Sequence, residues 1–157
     1  MGLYVRVYKN IKKIKDCDEA DFRAFVDHPS WKFKIKNLEE DGCYVGEQAQ
    51  PTISYPYSAH SFFRETLIKL IEREDLLDNA GNIDYERLPE DIPFYDFINF
   101  SDCEGCLDWE VSAKIFEDFE KYNKKAMEKL TGFSNQRYQE WYEIFKSAKD
   151  NGVVVFG

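Results

Sequence analysis

The sequence predicts an α+β fold: a small antiparallel or mixed sheet that includes the N- and C-terminal strands, packed against three main helices. Two observations carry that class. Residues 3–9 (LYVRVYK) and 153–156 (VVVF) read as strands at opposite ends of the chain, the first with Leu3, Val5 and Val7 alternating against Tyr4, Arg6 and Tyr8. Between them, three stretches carry apolar residues at helical spacing. With 157 residues and 43% apolar composition, the chain is long enough for one globular domain over residues 1–157. A domain of that size buries about 70% of its unfolded surface, so it needs no staples to fold. No internal repeat or low-complexity segment is visible.

The elements follow in order. Residues 18–28 (DEADFRAFVDH) predict a short helix, with Asp18 as its cap, Phe22, Phe25 and Val26 at helical spacing and Pro29 as its end. Residues 31–37 (WKFKIKN) alternate Trp31, Phe33 and Ile35 against three lysines, which predicts a strand. The LEEDG turn would join it to CYVGEQ as a hairpin. Residues 51–74 pass from extended to helical, with Ser58 or Ser61 as the cap and Phe63, Leu67, Leu70 and Ile71 as one stripe. DNAGN is a turn and PFYDFINF a short helix. Asp108 then caps a long helix striped by Val111, Ile115, Phe119, Tyr122 and Ala126, ending at Thr131–Gly132. Ser134 opens the last helix, striped by Tyr138, Trp141, Tyr142, Phe145 and Ala148.

Charge narrows the function classes. The net charge is −9. Residues 1–37 carry +4, from nine Lys/Arg against five Asp/Glu, and residues 38–157 carry −13, from twelve against twenty-five. An acidic body argues against a general phosphate-backbone binder, so a nucleic acid is not the expected partner. The aromatic–lysine alternation of residues 31–37 resembles a single-strand platform, but it equally describes an edge strand guarded by lysines. Residues 1–15 hold charges where a secretory leader would be apolar, and no run is long enough to span a bilayer. The expected location is therefore the cytoplasm, with all four cysteines reduced.

Candidate chemistry gathers in residues 99–114 (NFSDCEGCLDWEVSAK). Cys103 and Cys106 form a C-x-x-C, but acidic neighbours raise a thiol pKa rather than lowering it. A zinc site would need a second pair, and Cys17, Cys43, His28 and His60 are scattered. Asp102 and Glu104 could serve as an acid–base pair or as ligands to a hard cation, or as a turn reversed by Gly105. No metal and no cofactor is expected, with Asp102 and Glu104, or Cys103 and Cys106, as the alternatives left open. A second cluster, Tyr57, Ser58, His60, Ser61 and Arg64, stands where a helix begins and could hold an anion. A triad of Ser61, His60 and Asp102 has no nucleophile elbow behind it, and no phosphate loop or dinucleotide fingerprint occurs.

The stretches MGLYVRVY, SYPYSAHSFFRETL, INFSDCEG, VSAKIFEDF and DNGVVVF together resemble a family of small bacterial and phage-associated proteins of no known activity. The resemblance covers most of the chain and is most specific in the loop. It supplies no catalytic residues. The chain departs from the pattern at Pro56 and at CLDWE, and the second departure is what supplies Cys106. Asp102, Glu104 and Gly105 are then the better candidates in that loop.

Three readings of function result. The first is a non-enzymatic cytoplasmic binding protein of an accessory or immunity type, whose partner is a protein with a basic surface. The second is a small enzyme or ligand-binding domain, its site lying where residues 58–64 meet residues 102–105. The third is nucleic-acid binding through the lysine-rich N-terminal part.

Overall fold

A computed structural model describes residues 2–26, 28–100 and 104–157. It contains strands β1 (Gly2–Ile14), β2 (Phe22–Arg23), β3 (Cys43–Pro56), β4 (Gly105–Asp108) and β5 (Val153–Phe156). The helices are α1 (Tyr57–Leu70), α2 (Tyr95–Ile98), α3 (Trp109–Lys121), α4 (Asn123–Lys129) and α5 (Gly132–Ala148). The strands form one antiparallel sheet in the order β2-β3-β1-β5-β4. The N- and C-terminal strands pair directly, Val5 opposite Phe156 and Val7 opposite Val154. The α+β class is thus present, with α1, α3 and α5 as the three long helices.

Both faces of the sheet are covered, and the alternation of side chains sorts the residues between them. One face turns Leu3, Val5, Val7, Ile53, Leu107 and Val154 into the main core. The helices supply its other half, chiefly Phe63, Leu67, Ile115, Phe119, Trp141 and Phe145. The opposite face turns Tyr8, Tyr44, Cys106, Val153 and Val155 toward Phe22, Ile35 and Leu38. Burial on both faces explains why β5 is an unbroken apolar run rather than an alternating one. Aromatic edges interlock in the main core: Phe97 meets Trp141 at 4.7 Å between ring centroids, and Phe94 meets Phe119 at 4.8 Å.

Asp108 joins three parts of this frame. It is fully buried at the start of α3. Its Oδ1 accepts from the backbone N–H groups of Glu110 and Val111, both at 3.1 Å. Its Oδ2 accepts from the Asn37 backbone N–H at 2.8 Å and the Asn37 amide at 3.2 Å. The cap thereby fastens the segment that covers the second sheet face.

Four expectations need correction. The described residues among 18–28 form no helix but a 3-10 turn (Cys17–Glu19) followed by β2. Burial alternates there, with Phe22 and Ala24 inside and Arg23 and Phe25 outside, because β2 pairs with Tyr44 and Cys43 of β3. Phe22 stacks between Tyr8 and Tyr44 at 5.5 and 5.3 Å.

Residues 31–37 are not a strand. Pro29–Lys34 form a 3-10 helix that turns Lys34 inward and leaves Phe33 70% exposed. The hairpin therefore does not form, and β3 pairs with β1 instead.

The cysteines are not all reduced: Cys17 and Cys43 form a disulfide with Cα atoms 5.4 Å apart. The register explains this, because Ile14 lies opposite Cys43 and the chain needs only three more residues to bring Cys17 beside it. Finally, the long helix breaks at Tyr122 into α3 and α4, and the residues ahead of it form β4 rather than a loop.

Candidate functional site

β3 runs straight into α1 at Pro56, and this junction sets the first candidate cluster. Pro56 holds the cap position with extended backbone (φ −60°, ψ 149°), so neither Ser58 nor Ser61 caps the helix. Ser58 faces solvent and Tyr57 is half-buried. His60, one turn on, points into the core and is 1% exposed. Its Nδ1 lies 3.1 Å from the Tyr55 hydroxyl, which also accepts from the Trp141 indole N–H at 3.0 Å. Burial, reinforced by the Arg64 charge, pushes the imidazole down to about 3. Burial likewise pushes the Tyr55 phenol up to about 12. His60 is therefore a neutral core residue, remote from any solvent-borne proton.

Arg64 is buried too, but it works as a strut. One guanidinium nitrogen donates to the carbonyls of Phe100 at 3.2 Å and Ile98 at 3.4 Å, and the other reaches the Ser61 hydroxyl at 3.4 Å. Residues 58–64 are thus tied to the chain that leads into the second candidate cluster. Asp102 and Cys103 of that cluster lie outside the described residues. Glu104 is exposed.

Gly105 has φ +131°, and a Cβ there would stand 2.8 Å from the Phe100 ring, so only glycine fits. Cys106 is a buried strand residue whose Sγ contacts the Arg23 carbonyl at 3.8 Å. Burial pushes its thiol up to about 12, the opposite of a reactive cysteine. Among the described residues, no three His, Cys, Asp or Glu side chains converge as a metal site would require.

The lysines of residues 31–37 are committed as well. Lys32 pairs with Glu40 at 3.2 Å, Lys36 with Glu110 at 3.1 Å, and Lys34 with Asp96. The alternating platform that a single strand would stack on is absent from this segment.

Two concavities stand out instead. The first is an apolar groove of about 290 Å³ between the start of α1 and the start of α5. Tyr55, Pro56, Ala59 and Phe63 line it on the β3–α1 side. Phe62 and Phe133 also line it and are 58% and 78% exposed. Arg137 lies over the Tyr55 ring at 4.1 Å and is held there by Glu140 at 2.9 Å. The groove adjoins the candidate segment at residues 58–64, yet its working groups are aromatic rather than catalytic. Phe62 gave a faint signal in the sequence, since it stands beside Phe63 but off the buried stripe of α1. Phe133 gave none.

The second concavity, of about 370 Å³, lies between the 3-10 helix at Pro29–Lys34 and helices α2 and α3. Lys34, Tyr95, Asp96 and Lys114 line it, with Trp31 and Phe33 beside them. Burial alone would raise the Asp96 carboxyl. The hydrogen bond and charge of Lys34, then those of Lys114 at 3.1 Å, outweigh it and hold Asp96 below the usual carboxylate range. No sequence pattern hints at this cluster, because its members stand far apart along the chain.

Comparison of the chain with known protein families, with curated proteins and with solved structures finds no match.

Proposed function

We propose that this is a non-enzymatic binding protein whose apolar groove receives a hydrophobic side chain from a partner protein with a basic surface. One observation supports it above the others: the exposed aromatics Phe62 and Phe133 face a single groove, while His60, Arg64, Cys106 and Asp108 are buried and engaged within the fold. Exposed aromatic side chains around a pocket are what protein interfaces use as anchors. The net charge of −9 favours a basic partner and binding that weakens with salt. An accessory or immunity-type role, and kinship with the small bacterial and phage-associated proteins that the sequence resembles, belong to the same proposal.

So does a cytoplasmic location. No helix among the described residues is long and apolar enough to cross a membrane. The Cys17–Cys43 bridge counts against the cytoplasm, where such bridges are rare.

The test is affinity capture with the wild-type chain and with the Phe62→Ser/Phe133→Ser variant, at low and high salt. A stoichiometric partner lost in the variant and weakened by salt supports the reading. A partner retained equally by both chains sinks the groove as its seat.

A further inference from the structure

The geometry points to a second, independent site: the cavity between the Pro29–Lys34 turn and α2–α3 takes a small carboxylate that carries an aromatic ring. Charge is the first argument. Lys34 and Lys114 share one carboxylate, Lys34 on Oδ1 of Asp96 and Lys114 on Oδ2. The trio holds a surplus of one positive charge. Lys34 is only 9% exposed, and among the described residues Asp96 is its sole acceptor. An ammonium has three donors, so beyond Asp96 and the face of the Tyr95 ring at 5.8 Å the Lys34 ammonium keeps donor capacity at the cavity wall. Each Asp96 oxygen already holds an ammonium group, so the unspent hydrogen-bonding capacity of the trio lies mainly in its donors, which suits an anion. An incoming carboxylate would instead close a square of alternating charges.

The second argument concerns shape. At about 370 Å³ the cavity falls in the range of small-molecule sites. Trp31 flanks it and is held in place by Phe100 at 5.3 Å and His28 at 5.7 Å. Phe33 stands mostly exposed on the same rim. These rings offer faces to an aromatic body while the ammonium groups take its charge. Glu90, on the same rim, offsets the trio's surplus charge, though its exposure to solvent screens it, so the lining suits a monoanion better than a phosphate dianion. The site shares no lining residue with the apolar groove, so it stands or falls without the docking reading.

The probes are benzoate, its neutral isostere benzamide and its cationic analogue benzylamine, titrated into the full chain and followed by the indole N–H resonance of Trp31. Lys114→Gln is the decisive variant, because that side chain is 65% exposed and its removal leaves the Lys34–Asp96 pair intact. The expected result is saturable binding of benzoate alone, weakened about tenfold in Lys114→Gln, the loss typical of one charge-assisted hydrogen bond. Phe62→Ser/Phe133→Ser should bind benzoate as the wild type does. Failure of benzoate to saturate, equal affinity in Lys114→Gln, or tighter binding of benzylamine would each overturn the assignment.

Discussion

Replacing His60 with asparagine should flatten the acid limb of the protein's stability curve. The wild-type imidazole is held neutral in the fold down to about pH 3 by burial and by Arg64. In the unfolded chain the same group titrates near 6.5. Below about pH 6.5 the unfolded state therefore binds a proton that the folded state refuses, so stability falls as pH falls. The loss continues until about pH 3, where the folded form takes up its own proton. Between about pH 7 and about pH 5 the shift is worth about 2 kcal/mol, from ~1.4 kcal/mol per unit of pH below the unfolded value.

Asparagine keeps an acceptor near the Nδ1 position facing Tyr55 but does not titrate. The variant will be less stable at neutral pH, because it leaves a void among Phe97 and Trp141. That offset is the same at both pH values. Urea unfolding of both proteins at the two pH values isolates the proton-linked part, since every other ionisable group contributes equally to each. The wild type should lose about 2 kcal/mol more than the variant on acidification. Parallel losses would show that the folded imidazole titrates normally, and would refute the picture of His60 sealed in the core beside Tyr55 and Trp141.

Other features make separate predictions. Breaking the Cys17–Cys43 bridge by Cys17→Ser/Cys43→Ala should cost about 3.5 kcal/mol by the loop-closure relation for a separation of 26 residues. Equal denaturation midpoints for the bridged and unbridged chains would contradict it. Gly105→Ala should cost about 2 kcal/mol or more, from positive φ and the clash with Phe100, read as a lowered thermal midpoint. An unchanged midpoint would mean that the strand start relaxes freely. Asp108→Ala should cost about 3 kcal/mol, because it strands donors on Glu110, Val111 and Asn37 together, whereas Asp108→Asn should keep part of that. Similar losses for both would show that the charge, rather than the acceptors, carries the effect.

Legibility in the sequence followed the range of the forces involved. Elements set by one long periodic stripe were readable: α1, α3 and α5 bury the residues their spacing selects, and β1 and β5 alternate or run apolar as their burial requires. The Asp108 cap was readable because its partners are two and three residues away. What failed was decided across the chain. Phe22 and Arg23 were captured by the edge of β3, which overrode the helical spacing around them. Residues 31–37 alternate in sequence, but Pro29 starts a 3-10 turn and Asp96 draws Lys34 inward. Half of the candidate site was similarly deceptive. Arg64 and the loop entrance do meet, through Phe100, yet His60 looks inward to Tyr55. The groove joins two distant segments and the Lys34–Asp96–Lys114 cavity three, and no local pattern announces such a meeting.

The place of β5 bears on how the chain is made. Among the described residues β4 has no ladder except the one it shares with β5, and β5 in turn lies against β1, from the opposite end of the sequence. Pairings of such long sequence separation form late and slowly. During synthesis, β1 and β3 can zip as soon as they emerge from the ribosome, and α1 can lie across them. β4 and the helix it feeds must wait until Val153–Phe156 are out before they have a fixed register. A nascent chain stopped after α5 could still lay that helix on the first half of the sheet through Trp141 and Tyr55, but β4 would have no strand to pair with.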